Sequence, residues 1–299
     1  MTLTHTPSPH TPLRLFALTA LAMMAFAANS ILARLALAGG DTGADIGPWA
    51  FTAIRFISGA ICLALIVGPS KTMRQGDWKA AGSLLLYGIF FSYAYLLLSA
   101  GTGALILFAA VQITMIGGGL LAGERLRALQ WIGVALAMGG LVYLMAPKVA
   151  PPSPLGAGMM ALAGLGWGLY SLMGRGKGNP TALTAGNFLR AGLICAALTL
   201  PLLGLFPETP LRLKGLILAL LSGVVTSALG YVIWYTALKG LTATRAGVAQ
   251  LTVPFIAALG GMLFIAEPFT LRFFIAMCIT LAGVGLATIQ ISSRKGGVE

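Results

Sequence analysis

The chain has 299 residues, 58% of them hydrophobic and 9% charged, with a formal net charge of +12. A soluble domain carries about 25% charged residues, so a water-covered surface is excluded and lipid has to be the solvent. The basic residues scatter into loops beside apolar runs rather than forming a patch, which points away from nucleic acid as a partner.

A helix rising about 1.5 Å per residue crosses a 30 Å hydrocarbon core in about 20 apolar residues. Apolar runs between polar or Pro/Gly breaks predict ten such spans, at 13–38, 46–68, 79–98, 102–122, 127–146, 154–173, 181–205, 212–236, 242–264 and 269–291. The runs are too long and too uniformly apolar for barrel strands, which alternate in polarity over about ten residues. Arg14 followed by an apolar run and Ala25-Phe26-Ala27-Ala28 has the look of a cleavable signal. The apolar run continues to Ala38, however, and has a counterpart in the second half, so the first span is expected to be retained. Residues 1–12, which hold His5 and His10, and residues 292–299 read as cytoplasmic tails, the first of them disordered. Cys62, Cys195 and Cys278 sit far apart inside apolar runs, without metal spacing. No metal and no cofactor are expected.

Lys and Arg set the orientation. With the N-terminus inside, the inner ends of the spans carry twelve of the basic residues, from Arg14 and Lys71 to Arg294 and Lys295. The outer ends carry five: Arg34, Lys148, Arg212, Lys214 and Arg272. That bias places both termini in the cytoplasm, which an even number of spans also requires.

The chain repeats itself. Residues 94–145 align with 237–288 at a constant offset of 143, so that Gly117-Gly118 meets Gly260-Gly261, Glu124 meets Glu267 and Gly140 meets Gly283. The first spans align at an offset of 141, matching Ser30 with Ser171 and Arg34 with Arg175. The second spans align at an offset of 132, matching Phe56 with Phe188. The expected organisation is one five-helix repeat over 13–146, a linker over 147–153 and a second repeat over 154–291. An odd number of spans per repeat inverts the second against the first. Secondary transporters use such inverted repeats to place a substrate near the midplane and to alternate access.

These motifs resemble the drug/metabolite transporter superfamily, and within it the EamA-type exporters. The first span of each repeat carries an aromatic-small pattern, Phe26-Ala27-Ala28-Asn29-Ser30 and Trp167-Gly168-Leu169-Tyr170-Ser171. The second span carries Arg55-Phe56, the fourth ends in Gly123-Glu124 with an echo at Ala266-Glu267-Pro268, and the fifth and tenth carry Gly133, Gly139, Gly140, Gly283 and Gly285. The chain departs from the pattern at Asn187, where the second repeat would have Arg, and at Val111, which faces Pro254 in the alignment. Within the superfamily the sequence is most similar to the YddG-type exporters of aromatic and related amino acids. The resemblance implies an all-α, ten-helix protein of the bacterial inner membrane, working as a monomer or weak homodimer on a small-molecule substrate.

No Asp, Glu or His lies centrally in any span. A carboxylate proton relay is therefore not evident, and neither is the paired His or acid dyad of an intramembrane enzyme. Neutral polar and aromatic residues are the candidates for a substrate cavity: Asn29, Tyr87, Tyr95, Gln112, Trp167, Tyr170, Trp234 and Gln250. Each has a plain packing role as its alternative. Arg55 is the candidate contact for a substrate charge, with snorkelling or a helix terminus as alternatives. Pro201 and Pro254 are candidate gates or kinks. The leading functional reading is export of amino acids and related metabolites. A broad-specificity drug/metabolite exporter and a non-transporting receptor or scaffold are the alternatives, and short loops weigh against the last.

Overall fold

The computed structural model describes residues 12–38, 43–121, 123, 127–146, 151–174, 179–205, 211–241 and 249–288, with backbone alone at 200 and 202–205. Both tails, most of the linker, Glu124, Arg175 and the first part of the expected ninth span lie outside these residues.

The described chain is helical: α1 (Pro12–Ala38), α2 (Pro48–Val67), the short α3 (Pro69–Arg74), α4 (Trp78–Ala94), α5 (Ala100–Leu121), α6 (Ala128–Met145), α7 (Pro154–Gly174), α8 (Pro180–Leu205), α9 (Leu213–Leu238), α10 (Val253–Ile265) and α11 (Leu271–Thr288). Seven of these, α1, α2 and α5 to α9, are long and apolar enough to cross a membrane. Two shorter helices, Val253–Ile265 and Leu271–Ala287, are apolar as well. This is a multi-pass membrane protein whose large exposed side chains are apolar, such as Leu65, Leu121 and Leu263.

Local chemistry sets the helix ends. Proline opens α1, α2, α3, α7 and α8, where its missing N–H costs nothing. Gly68 takes φ +94°, closes α2 through its N–H to Ala64 O, and lets α3 begin at once; the sequence reading had not foreseen α3. Asp77 caps α4 by accepting from the Lys79 N–H. The helix ends at Ala94, short of the expected 98, because Tyr95 turns inward, fully buried, and Leu96–Leu98 form a turn. The expected ninth span is broken too. Leu251 and Thr252 form a turn, and α10 starts only at Val253 with Pro254 in its first turn. Pro254 thus starts a helix where it had been expected to kink one. Pro201 does lie inside a helix, on an exposed part of α8.

The packing pairs one half of the chain with the other. α2 lies on α8, α6 on α11, α7 on both α4 and α5, and α1 on both α9 and α10. At the α2–α8 interface two residues matched by the repeat register meet. Phe56 and Phe188 stack edge-to-face at 5.4 Å. A methyl group built on Gly133 would fall on Gly283 O at 2.6 Å, and one on Gly140 would fall 3.0 Å from Ala276 O. Gly139, one residue away, would meet nothing within 4 Å. The contrast separates two effects of adding a methyl to α6. Gly140→Ala should destabilise the detergent-solubilised protein by about 1–3 kcal/mol through overpacking, while Gly139→Ala should be neutral or mildly stabilising. Thermal unfolding of the two variants checks this, and equal losses would contradict the close α6–α11 contact.

Candidate functional site

Glycines on α7 bring the two halves together around a cleft. A methyl on Gly166 would meet Tyr87 N at 2.6 Å and Ser83 O at 2.8 Å, so only Gly lets α7 lie so close to α4. Trp167 is thereby carried onto Tyr87, ring centroids 5.2 Å apart. Tyr231 of α9 stacks on Trp167 at 5.0 Å, and Phe26 of α1 meets Tyr231 edge-on at 5.9 Å. The cleft inside this aromatic wall is also bordered by Asn29 and Ser30 of α1, Phe91 of α4, Leu107 and Phe108 of α5, and Thr226 of α9. The rings pinch this cleft until little more than a water molecule fits. A larger solute would need the walls to part.

One hydrogen-bonded network crosses the wall. Ser222 of α9 donates to Asn29 Oδ1 at 2.7 Å, and Thr226, with one proton for two acceptors, lies 3.1 Å from the same oxygen and 2.9 Å from Ser222 O. Asn29 Nδ2 donates to the Tyr87 hydroxyl at 3.2 Å, and Arg55 Nη2 donates to the same hydroxyl at 2.8 Å. Arg55 Nε donates to Ser227 Oγ at 2.9 Å. The guanidinium is 1% exposed and packs against the rings of Tyr87 and Phe91 at 4.9 and 5.0 Å. Its Nη1 has no partner, and no carboxylate pairs with it among the described residues. Cation–π contacts and neutral oxygens carry the charge instead.

Ser222, Thr226 and Ser227 reach this network because α9 is π-helical over Ser222–Leu229. Wider turns are common at functional sites and change which side chains share a face. Gly223 completes the approach of α9 to α2, since a methyl there would meet Arg55 O at 2.5 Å.

Of the eight expected cavity residues, Asn29, Tyr87 and Trp167 border the cleft. Tyr170 and Trp234 stand behind it, stacked on Trp167 at 5.6 Å and on Phe26 at 5.8 Å, with the Tyr170 hydroxyl donating to Thr184 Oγ1. Tyr95 is buried at the corner between α4 and α5, its ring 4.7 Å from Phe91 and its hydroxyl on Ala100 O. Gln112 is buried on α5 and Gln250 is half-buried ahead of α10, and neither borders the cleft. Phe26 and Ser30 were legible as part of the first-span motif but not as wall residues. Thr226 and Tyr231 carried no signal beyond sharing a span with Trp234.

An ion pair joins the two halves of the chain. One turn beyond Ser30, Arg34 Nε donates to Glu267 Oε1 at 2.9 Å, and Arg34 Nη1 donates to Tyr95 O at the end of α4. Glu267 Oε2 accepts from the Ala100 N–H at the start of α5. Ala266, the residue before it, turns the chain with φ 54°, an uncommon conformation for a residue with a Cβ. Gly123, its partner in the repeat register, takes φ +88°. In the second half the motif is thus a left-handed turn that aims Glu267. Asp45 of the α1–α2 loop pairs with Arg212 just ahead of α9 and with Lys214 in its first turn.

The EamA-like transporter family matches the chain over residues 14–146 and again over 154–289. The chain belongs to the EamA-like transporter family. A relative from Pseudomonas aeruginosa, described as an uncharacterized protein, is 48% identical over 91% of this chain and 94% of its own length. An uncharacterized transporter of Archaeoglobus fulgidus is 26% identical over 82% of this chain and 88% of its own. The uncharacterized transporter YoaV of Bacillus subtilis is 20% identical over 84% and 90%. A solved structure called only the crystal structure of a protein superposes with a TM-score of 0.61 at 20% identity, covering 90% of this chain and 98% of its own, and supports the fold alone. The protein is a membrane transporter of this family.

The bridge between Arg34 and Glu267 should be energetically coupled. Each single replacement, Arg34→Gln or Glu267→Gln, is expected to cost about 1–3 kcal/mol, the range for charge-assisted hydrogen bonds. The double replacement should cost less than their sum. A double-mutant cycle on unfolding in detergent measures this, and strict additivity would mean the pair carries no coupling.

Proposed function

We propose that this EamA-family transporter exports neutral and aromatic amino acids and related metabolites across the bacterial inner membrane. In this reading the chain crosses the bilayer ten times, as two inverted five-helix repeats with both termini in the cytoplasm. The cleft between the repeats is the substrate cavity in a contracted state. Rocking of one repeat against the other opens it to each side in turn, and the Arg34–Glu267 pair holds one side shut.

The observation that carries the proposal is Arg55. A buried guanidinium without a carboxylate is costly. Its unspent Nη1 lies behind Tyr87, off the cleft's own lining, and walls that part would offer it to a ligand that combines a carboxylate with an apolar or aromatic body. No acid borders the cleft among the described residues, and in this reading the substrate moves down its own gradient.

Arg55→Met separates a transport role from a structural one. Replacing a buried charge by an apolar chain of similar volume tends to be neutral or stabilising, so the variant should keep its melting temperature. Counterflow of labelled amino acids into proteoliposomes should fall at least about ten-fold, the effect of losing one charge-assisted contact. Wild-type counterflow should persist without a proton gradient. Unimpaired flux in Arg55→Met, or strict dependence on the gradient, would overturn this mechanism.

A further inference from the structure

The hydrogen-bond count at Tyr87 leaves one proton unspent. A phenolic hydroxyl has two acceptor sites and a single donor. At Tyr87 the acceptor sites are filled by Asn29 Nδ2 and Arg55 Nη2. Its own O–H has no acceptor among the described residues, although the residue borders the cleft. The orientation of the Asn29 amide follows from its neighbours. The 2.7 Å separation from Ser222 Oγ is that of an O–H···O bond, which turns the amide oxygen to α9 and its nitrogen to Tyr87.

The same count applied to the rest of the network finds donors in excess. Asn29 Oδ1, the side-chain carbonyl at the cleft, already accepts from Ser222, with Thr226 Oγ1 3.1 Å away. Arg55, behind Tyr87, has a free Nη1. No carboxylate or imidazole borders the cleft among the described residues to receive a cation. Two donors pulling on the Tyr87 oxygen, one of them charged, also polarise its O–H and strengthen the bond it can give.

We infer that the Tyr87 hydroxyl, charged from behind by Arg55 and Asn29, is the head-group donor of the cavity and selects ligands by an anionic oxygen, so that a carboxylate alone suffices and a free amino group is not required. This rests on the reading of the cleft as a substrate cavity. It extends the substrate class from amino acids to aromatic and branched monocarboxylates that lack the amine. An amine has only the ring faces and the hydroxyls of Ser30 and Tyr231 to turn to, and those offer no charge.

Four compounds with one phenyl body and different heads test this on the full-length protein in nanodiscs, by titration calorimetry: 3-phenylpropionate, phenylalanine, 3-phenylpropanol and phenethylamine. The carboxylate and the zwitterion should bind within a few-fold of each other and at least about ten-fold tighter than the alcohol and the amine. Tyr87→Phe keeps the ring and loses the hydroxyl. It should lower carboxylate affinity to the level of the alcohol while leaving alcohol binding unchanged, which also reports that the variant is folded. Should that variant not fold, the ranking on the unaltered protein decides alone. Equal binding of alcohol, amine and carboxylate would overturn the inference while leaving the cavity standing. Tight binding of phenylalanine with none of 3-phenylpropionate would overturn it in favour of amine recognition. Binding of none of the four would overturn the inference together with the cavity reading.

Discussion

A guanidinium taken out of water between α2, α4 and α9 constrains much of what surrounds it. Without a carboxylate to neutralise it, the charge of Arg55 has to be spread over two ring faces, the hydroxyl of Tyr87 and the hydroxyl of Ser227. Each of these partners comes from a helix that must be held at a set distance. The π-helical stretch of α9 makes sense in that light, because it brings Ser222, Thr226 and Ser227 together onto the Asn29–Arg55 side. Oxygens that solvate a charge without neutralising it leave that charge usable by something that arrives later.

Close backbone approach provides those distances. In lipid no hydrophobic force presses helices together, so dispersion and small residues have to do it. Gly166 seats α7 on α4, Gly223 seats α9 on α2, and Gly133 with Gly283 seats α6 on α11. The first two contacts build the wall of the cleft, and the third closes the far pair of helices without bordering it. The ion pairs do a different task. Arg34 with Glu267, and Asp45 with Lys214, join the halves at residues near helix ends, where a contact can break without disturbing the packed interior.

Much of this was legible in the residues, for definite reasons. Span positions follow from hydropathy because backbone groups in lipid leave helix as the main option. The register of the repeat could be read because Phe56 and Phe188 meet each other across the halves, while Gly140 and Gly283 each seat a close backbone approach of the facing helix. The aromatic wall was half legible. Asn29, Tyr87 and Trp167 stood out as polar or amphipathic groups in apolar runs, and so did Tyr95, Gln112 and Gln250, which went elsewhere. Helical spacing alone does not say whether such a group faces a cleft or a corner: Tyr87 and Tyr95 lie on one helix face, yet α4 ends at Ala94 and turns the second away. Phe26 and Tyr231 were invisible as wall residues because apolar aromatic chains in a span look alike from sequence. The π-helical turns have no hydropathy signature at all.

The two halves share a backbone plan but not a chemistry, and the difference is concentrated at one position. Asn187 stands on α8 where Arg55 stands on α2, and its Oδ1 accepts from the Asp77 N–H at 2.8 Å, pinning the turn before α4. Arg190, one turn further, donates to Gln75 O and Gly186 O and lies over Trp78 at 5.4 Å. Side chains of α8 thus fasten a loop of the other half, while the equivalent part of α2 holds its buried charge behind Tyr87 of the cleft wall. Two symmetric arginines would repel each other across a cleft of low dielectric, and two asparagines would leave it neutral. Substituting one of the pair leaves a single cation at the interface of the halves. A single monovalent ligand can match that charge without leaving a second one buried and unpaired.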